Sequence, residues 1–154
     1  MKIVTLRFNE IEIVEDEIFY FEEGSLGFNH LKRYLIIDTN KESPFKWFQS
    51  VDDPSLAFVV IDPLTFKSDY KIEISKEDAK ELKIYDSKKT KVYVIVSIPE
   101  NPLDMTANLV GPLVFNPETK LAKQIVLLND SYDTKYKILK NSGSKLPRAS
   151  ARGF

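Results

Sequence analysis

The sequence predicts an all-β domain, mainly antiparallel, in the form of a small closed or partly open β-barrel with one short helix near residues 75–84. Three observations predict it. Apolar residues recur at every second position through most of the chain, the period that points alternate side chains to one face of a strand. Prolines at 44, 54, 63, 99, 102, 112 and 117 punctuate these runs, as expected where a residue lacking an N–H ends a ladder. No strand-helix-strand alternation recurs, so a parallel sheet is not indicated, and closing an antiparallel sheet removes exposed edges.

In chain order, Val4, Leu6 and Phe8 alternate with Thr5 and Arg7, and Ile11 and Ile13 flank Glu12, which reads as an opening hairpin turning at Asn9-Glu10. Residues 18–21 and 33–37 form the next strands, separated by Gly24-Ser25-Leu26-Gly27, where glycine permits positive φ. Further strands are expected at residues 45–51, 56–61, 71–74, 91–98, 109–115 and 122–128. Residues 75–84 alone read as helix: Ser75 and Asp78 form a Ser-x-x-acid start signal, and Ala79, Leu82 and Lys83 follow at helical spacing.

The 154 residues, 43% of them apolar, suffice for one core. Cysteine is absent, which excludes disulfides, thiolate nucleophiles and cysteine metal sites. His30 is the sole imidazole, so a multi-histidine zinc site cannot form within one subunit, and any Ser-His-Asp triad would need this residue. Its setting, Phe28-Asn29-His30-Leu31, reads as an exposed or hydrogen-bonded turn. There is no long apolar run, and Met1–Arg7 leads into charged sequence without a signal peptide's apolar stretch. The expectation is a cytoplasmic protein that does not engage membranes.

The formal charge of −1 is unevenly spread. Residues 133–154 hold six Lys/Arg (Lys135, Lys137, Lys140, Lys145, Arg148, Arg152) against Asp133, a net of +5, which leaves −6 for residues 1–132. An acidic body repels nucleic acid and attracts basic partners. The basic end has no periodicity from Asn141 onward and reads as a flexible tail, 133–154.

No catalytic constellation is legible. Asp52-Asp53 is the obvious carboxylate pair, but neighbours on extended chain face opposite ways, and Asp52-Asp53-Pro54-Ser55 reads as a turn in which an aspartate caps backbone N–H groups. Asp62-Pro63 has the same character. The glycines at 24 and 27 lack the spacing and the Lys-Ser/Thr pair of a phosphate loop. The rings Phe45, Trp47, Phe48, Phe58 and Phe66 have only Lys46 and Lys67 among them, opposed by four aspartates, which favours an aromatic core or protein-binding patch over a base-stacking platform. Lys88-Lys89-Thr90-Lys91 is too short for an RNA groove. These residues describe a β domain that binds rather than catalyses, with a small β-barrel enzyme using Asp52, Asp62 or His30, or a nucleic-acid module, as alternatives. No cofactor and no metal is indicated.

Two segments go beyond generic patterning. Residues 45–63 place Phe48, Gln49, Ser50, Asp52, Pro54, Leu56, Phe58 and Pro63 in the order Leu/Phe-Gln-Ser-x-Asp-x-Pro-x-Leu-x-Phe-x-x-x-x-Pro. Residues 106–116 place Thr106, Asn108, Leu109, Pro112, Leu113, Val114 and Asn116 in the order Thr-x-Asn-Leu-x-x-Pro-Leu/Ile-Val-x-Asn. Both patterns resemble the FliW family of flagellar assembly factors, as do Phe21-x-x-Gly24-x-x-Gly27-Phe28 and Gln124-x-Val126-Leu127. The resemblance spans residues 1–132, taken as a FliW-like barrel domain, and does not extend to the basic tail.

The resemblance implies a non-enzymatic regulator that binds flagellin in the cytoplasm and, once flagellin is exported, binds the translational repressor CsrA and relieves repression of flagellin mRNA. It implies no direct contact with nucleic acid, and a monomer is expected. Gln49, Asp52, Asn108 and Asn116 are motif residues that either mark binding or cap turns and strand ends. Charge nominates Asp52, Asp53, Asp62, Asp69, Glu73, Glu77 and Asp78 as the rim facing a basic partner. Leu64, Phe66 and Tyr70, following Pro63, are candidates for an apolar contact.

Overall fold

The computed structural model describes residues 1–21, 31–128 and 131–139. His30, the glycine turn at 24–27 and the tail from residue 140 lie outside the described residues.

The alternating sequence closes into a barrel of seven strands: β3 (Phe19–Tyr20), β4 (Arg33–Ile37), β5 (Phe45–Ser50), β6 (Ala57–Ile61), β7 (Lys91–Ser97), β9 (Leu113–Asn116) and β10 (Leu121–Gln124). The hydrogen-bonded order is β7-β6-β5-β4-β3-β10-β9, and β9 returns to β7. All these pairs are antiparallel except β3 with β10, which meet in parallel at Tyr20 and Leu121. Because β7 is longer than β9, its far end at Val96 and Ser97 pairs instead with β8 (Thr106–Ala107), and β11 (Tyr136–Lys137) adds outside β8.

The period of two sorts the core. Tyr34, Phe48, Val60, Tyr93, Leu113 and Phe115 point inward with Phe21 and fill the barrel. Aromatic contacts run through that filling, with Tyr34 stacked on Phe48 at 4.7 Å and Phe115 edge-on to Phe19 at 4.9 Å. The intervening residues point outward and are also covered, at three places. Leu35 packs with Ile3, Ile13 and Ile18 under a separate two-stranded sheet, β1 (Lys2–Thr5) and β2 (Asn9–Glu12). Val114 packs under Leu82 with Ile125, beside α1 (Lys76–Glu81). Ile61, Val94 and Val96 pack with Tyr70, Met105, Leu109 and Ile138.

Local chemistry explains where the elements depart from the alternation. The opening turn lies at Leu6-Arg7-Phe8, not at Asn9-Glu10: the buried Thr5 hydroxyl accepts from Phe8 N–H (2.8 Å) and donates to Asn9 O (3.1 Å), and Asn9 starts β2 at φ 58°. Asparagine tolerates that conformation better than most residues. Residues 71–74 form no strand; Tyr132 Oη instead accepts from Lys71 N–H and donates to Lys71 O. The strand expected at 109–115 begins only at Leu113, because Asn108 Oδ1 accepts from both Val110 and Gly111 N–H and turns the chain ahead of Pro112. Past Gln124 the chain keeps step with its neighbour through Ile125 N–H to Pro112 O and Leu127 N–H to Val110 O. The helix forms where Ser75 and Asp78 place it, with Ser75 Oγ accepting from Asp78 N–H at 3.0 Å. Residues 133–139, assigned by charge to the tail, include β11, and Ile138 is buried.

Candidate partner-binding surface

The signature segment builds β5, a tight loop and β6. Gln49 lies fully buried at the end of β5, and its Nε2 sits 3.0 Å from Ser50 O and 3.1 Å from Leu56 O, with Asp53 O and Pro54 O slightly farther. One side-chain amide thus holds the carbonyls of a loop that has no ladder of its own. Ser50 Oγ accepts from the N–H groups of Asp52 and Asp53, and Asp53 Oδ1 accepts from Ser55 N–H and Oγ–H. Asp52 leaves the loop to form a two-point ion pair with Arg33 on β4. That pairing raises the Arg33 pKa, first through the hydrogen bond.

The second signature segment also serves the framework. Asn116, buried at the end of β9, donates from Nδ2 to Leu82 O (2.8 Å) and Lys83 O (3.1 Å), tying down the chain leaving α1. Its Oδ1 accepts from Glu118 N–H. Gln124 Nε2 donates to Gly111 O, and a Cβ on Gly111 would stand 2.8 Å from that nitrogen, so a glycine allows the approach.

Gln49, Asn116 and Tyr70, nominated as contacts, are each buried and bonded to the chain itself, Gln49 through Nε2 alone. Tyr70 Oη donates to Leu109 O at 2.7 Å, and burial pushes its phenol pKa well upward. Asn108 is half-buried and occupied by its turn. Phe66 is half-buried and stacks on Tyr136, with centroids 5.7 Å apart, while Leu64 beside it is 56% exposed.

The nominated acids do not form one rim. Asp52 and Asp53 sit in the loop before β6, whereas Asp62 follows β6 at its other end, about 16 Å away for a five-residue strand. Asp62 caps a short 3-10 turn at Pro63–Thr65 by accepting from Leu64 N–H, and the exposed Asp69 pairs with Lys67 at 3.0 Å. Glu73 and Glu77 are exposed. Asp78 is largely covered and, with Glu81, holds Lys123 at 2.7 Å each, which raises the lysine's pKa, through Asp78 first. Asp52 is engaged by Arg33 and Asp62 by the Leu64 N–H, at opposite ends of β6. Among the described residues no group of three or more His, Asp or Glu is placed to hold a metal, and no helix is long and apolar enough to cross a membrane.

An acidic surface went unnominated by the sequence reading. Glu10, Glu12, Glu15, Asp16 and Glu17 are all exposed on β2 and the 3-10 turn after it. Five acids within residues 10–17 were the available signal.

Comparison with known proteins settles the framework's identity. The family model described as FliW protein matches residues 2–138. The chain belongs to the FliW family. The flagellar assembly factor FliW of Alkaliphilus metalliredigens is 46% identical over 140 residues, 90% of this chain and 86% of the relative. That of Caldanaerobacter subterraneus subsp. tengcongensis is also 46% identical over 140 residues, 90% of this chain and 93% of its own. A crystal structure of the flagellar assembly factor FliW superposes with a TM-score of 0.84 at 34% identity, covering 92% of this chain and 99% of that one. The FliW match reaches Ile138, so it includes β11.

Proposed function

We propose that this chain is a non-catalytic partner switch of flagellar assembly: in the cytoplasm it binds flagellin, and when export removes flagellin it binds CsrA and relieves repression of flagellin mRNA. The observation that carries this reading is the FliW match across residues 2–138. Competition for one small protein is sufficient mechanism, since each partner depletes the free pool and removal of one raises occupancy of the other by mass action. The net −6 of residues 1–132 supports a basic partner surface such as an RNA-binding protein presents, by steering encounter and orientation. A closed barrel covered on three outer faces supports recognition by a rigid surface.

Pull-down against purified flagellin and purified CsrA tests the reading. Capture of neither at micromolar concentration overturns it. The acidic contribution is tested separately with Glu73→Lys and Glu77→Lys, chosen because Asp52, Asp53, Asp62 and Asp78 also brace loops or ion pairs whose loss would confuse binding with stability. Reversal weakens CsrA capture if these acids face it; unchanged capture removes them from the contact surface.

A further inference from the structure

The β1–β2 ribbon has a feature the closed barrel lacks, an open strand edge. Lys2 pairs with Glu12, Ile3 with Ile11, Val4 with Glu10 and Thr5 with Asn9, and Ile13 N–H donates to Met1 O. Antiparallel pairs alternate between bonded and non-bonded, so the bonded pairs are those at Ile13, Ile11 and Asn9. The backbone N–H and C=O of Glu10 and Glu12 then point away from β1, along the outer edge of β2. They have no partner among the described residues. The outer edge of β1 differs, because Leu6 N–H donates to Pro54 O and the signature loop closes that side at one end.

Side chains define what this edge can accept. The period of two puts Glu10, Glu12 and Val14 in one row on the outer face, with Ile11 and Ile13 on the face toward the barrel. Glu10 and Glu12 are 61% and 66% exposed, and their ion pairs with Lys2 (3.6 Å) and the N-terminal ammonium (3.2 Å) are of the surface kind that competes poorly with a new partner. Beyond them stand Glu15, Asp16 and Glu17, and at the end of the edge Met1, Ile13, Val14, Glu15 and Asp16 line a shallow depression of about 430 Å³. Apolar walls with a carboxylate rim suit the aliphatic stem and charged head of a lysine or arginine.

We propose that the outer edge of β2, from Glu10 to Val14, receives an extended segment of a partner protein as a third strand, with Lys or Arg at alternate positions opposite Glu10 and Glu12. Main-chain bonds supply affinity and the alternating charges supply register and choice of partner. The same acids disfavour a second copy of this chain, whose β2 would set glutamate against glutamate. The inference rests on the reading of the chain as a protein-binding module, but not on flagellin or CsrA being the partner.

The test uses a short acetylated and amidated peptide alternating lysine and valine, its glutamate-valine counterpart, and a lysine-valine version N-methylated along one backbone edge. Amide exchange of the full chain is followed residue by residue by NMR. The lysine peptide is expected to slow exchange at Glu10 and Glu12 by tenfold or more, leaving Ile13 unchanged because its N–H is already bonded. The N-methylated peptide, with the same charge, binds at least tenfold more weakly, and Glu10→Lys with Glu12→Lys transfers preference to the glutamate peptide. Equal binding of the N-methylated peptide, protection at any other strand, or concentration-dependent protection without peptide would each overturn the proposal. These results are independent of the flagellin and CsrA pull-downs, so either reading can fail alone.

Discussion

Replacing Gln49 by leucine keeps the volume and removes the donors that hold the 50–56 loop. A side-chain amide carries two N–H groups, so of the four carbonyls around Nε2 the two nearest, Ser50 O and Leu56 O, receive them at any moment. Two net hydrogen bonds are worth roughly 2 kcal/mol. Two effects trim the loss: Leu56 O keeps the Ser50 N–H bond at 2.9 Å, and Gln49 Oε1, buried without a hydrogen bond, no longer has to be desolvated. The carbonyls left without a donor add to it, so about 2 kcal/mol is the expected destabilisation. With a urea slope of about 2 kcal/mol/M, the unfolding midpoint falls by about 1 M at unchanged slope. A midpoint indistinguishable from the parent's refutes the bracing role. Gln49→Glu supplies a second check whose sign is fixed. A carboxylate among carbonyls prefers to keep its proton, so its folded pKa lies above the unfolded value of about 4.3. The unfolded chain then ionises first, and the stability gap to the parent widens as pH rises from 4 to 7. A gap independent of pH would show that residue 49 does not face the loop carbonyls.

Burial pushes the phenols of Tyr34 and Tyr93 up to about 12, helped at Tyr34 by Asp52 and Asp53 and at Tyr93 by Asp62 and Asp38. The unfolded phenols ionise near 10, so the stability these two groups contribute is constant below that pH and falls between 10 and 12, which urea midpoints at pH 8, 10 and 11 will register. Trp47, the sole tryptophan, is 7% exposed with the Arg7 guanidinium 4.1 Å from its ring centroid and Phe8 at its edge. Arg7→Ala is expected to cost about 0.5–1 kcal/mol and to shift tryptophan emission to the red, reporting looser docking of the hairpin tip. Asn116→Ala strands Lys83 O and leaves Leu82 O only the Thr119 hydroxyl at 3.3 Å, costs about 1–2 kcal/mol, and accelerates amide exchange across residues 76–90 more than in the barrel.

The barrel was legible in the sequence where one strand face is buried in the interior and the other is covered from outside. Residues 33–37, 45–50, 57–61 and 91–97 form strands close to where alternation puts them, because slipping any one would turn Tyr34, Phe48, Val60 or Tyr93 out of the core. The helix was legible through its Ser75 cap. Hidden were elements whose backbone is satisfied by side chains at long range: the 71–74 segment waits on Tyr132, sixty-one residues away, and β8 and β11 are two residues each, too short to show a period. The turn at residues 6–8 was misplaced because composition does not show that Thr5 is buried and bonds backward. The surface was least legible, since a glutamine in an alternating run looks the same whether it faces a partner or, like Gln49, folds back on its own loop.

That last ambiguity has a physical consequence for reading function from the signature. Gln49 Nε2, Asn108 Oδ1 and both polar atoms of Asn116 serve the carbonyls and amides of irregular segments that no ladder satisfies, and a buried backbone group left unpaired is costly. These signature residues therefore brace the loops of the fold, a role distinct from touching a partner. The two kinds of residue separate by measurement. A framework substitution such as Gln49→Leu lowers stability and reduces partner capture only through the folded fraction, so capture recovers wherever the chain is folded. A reversal at an exposed contact acid, tested at Glu10, Glu12, Glu73 and Glu77, is expected to change capture at nearly constant stability by an amount that falls with salt, because exposed charges act at a range that ions screen. Plotting capture against unfolding midpoint for both sets places each residue by its slope, and a signature residue found off the framework line would be a contact residue after all.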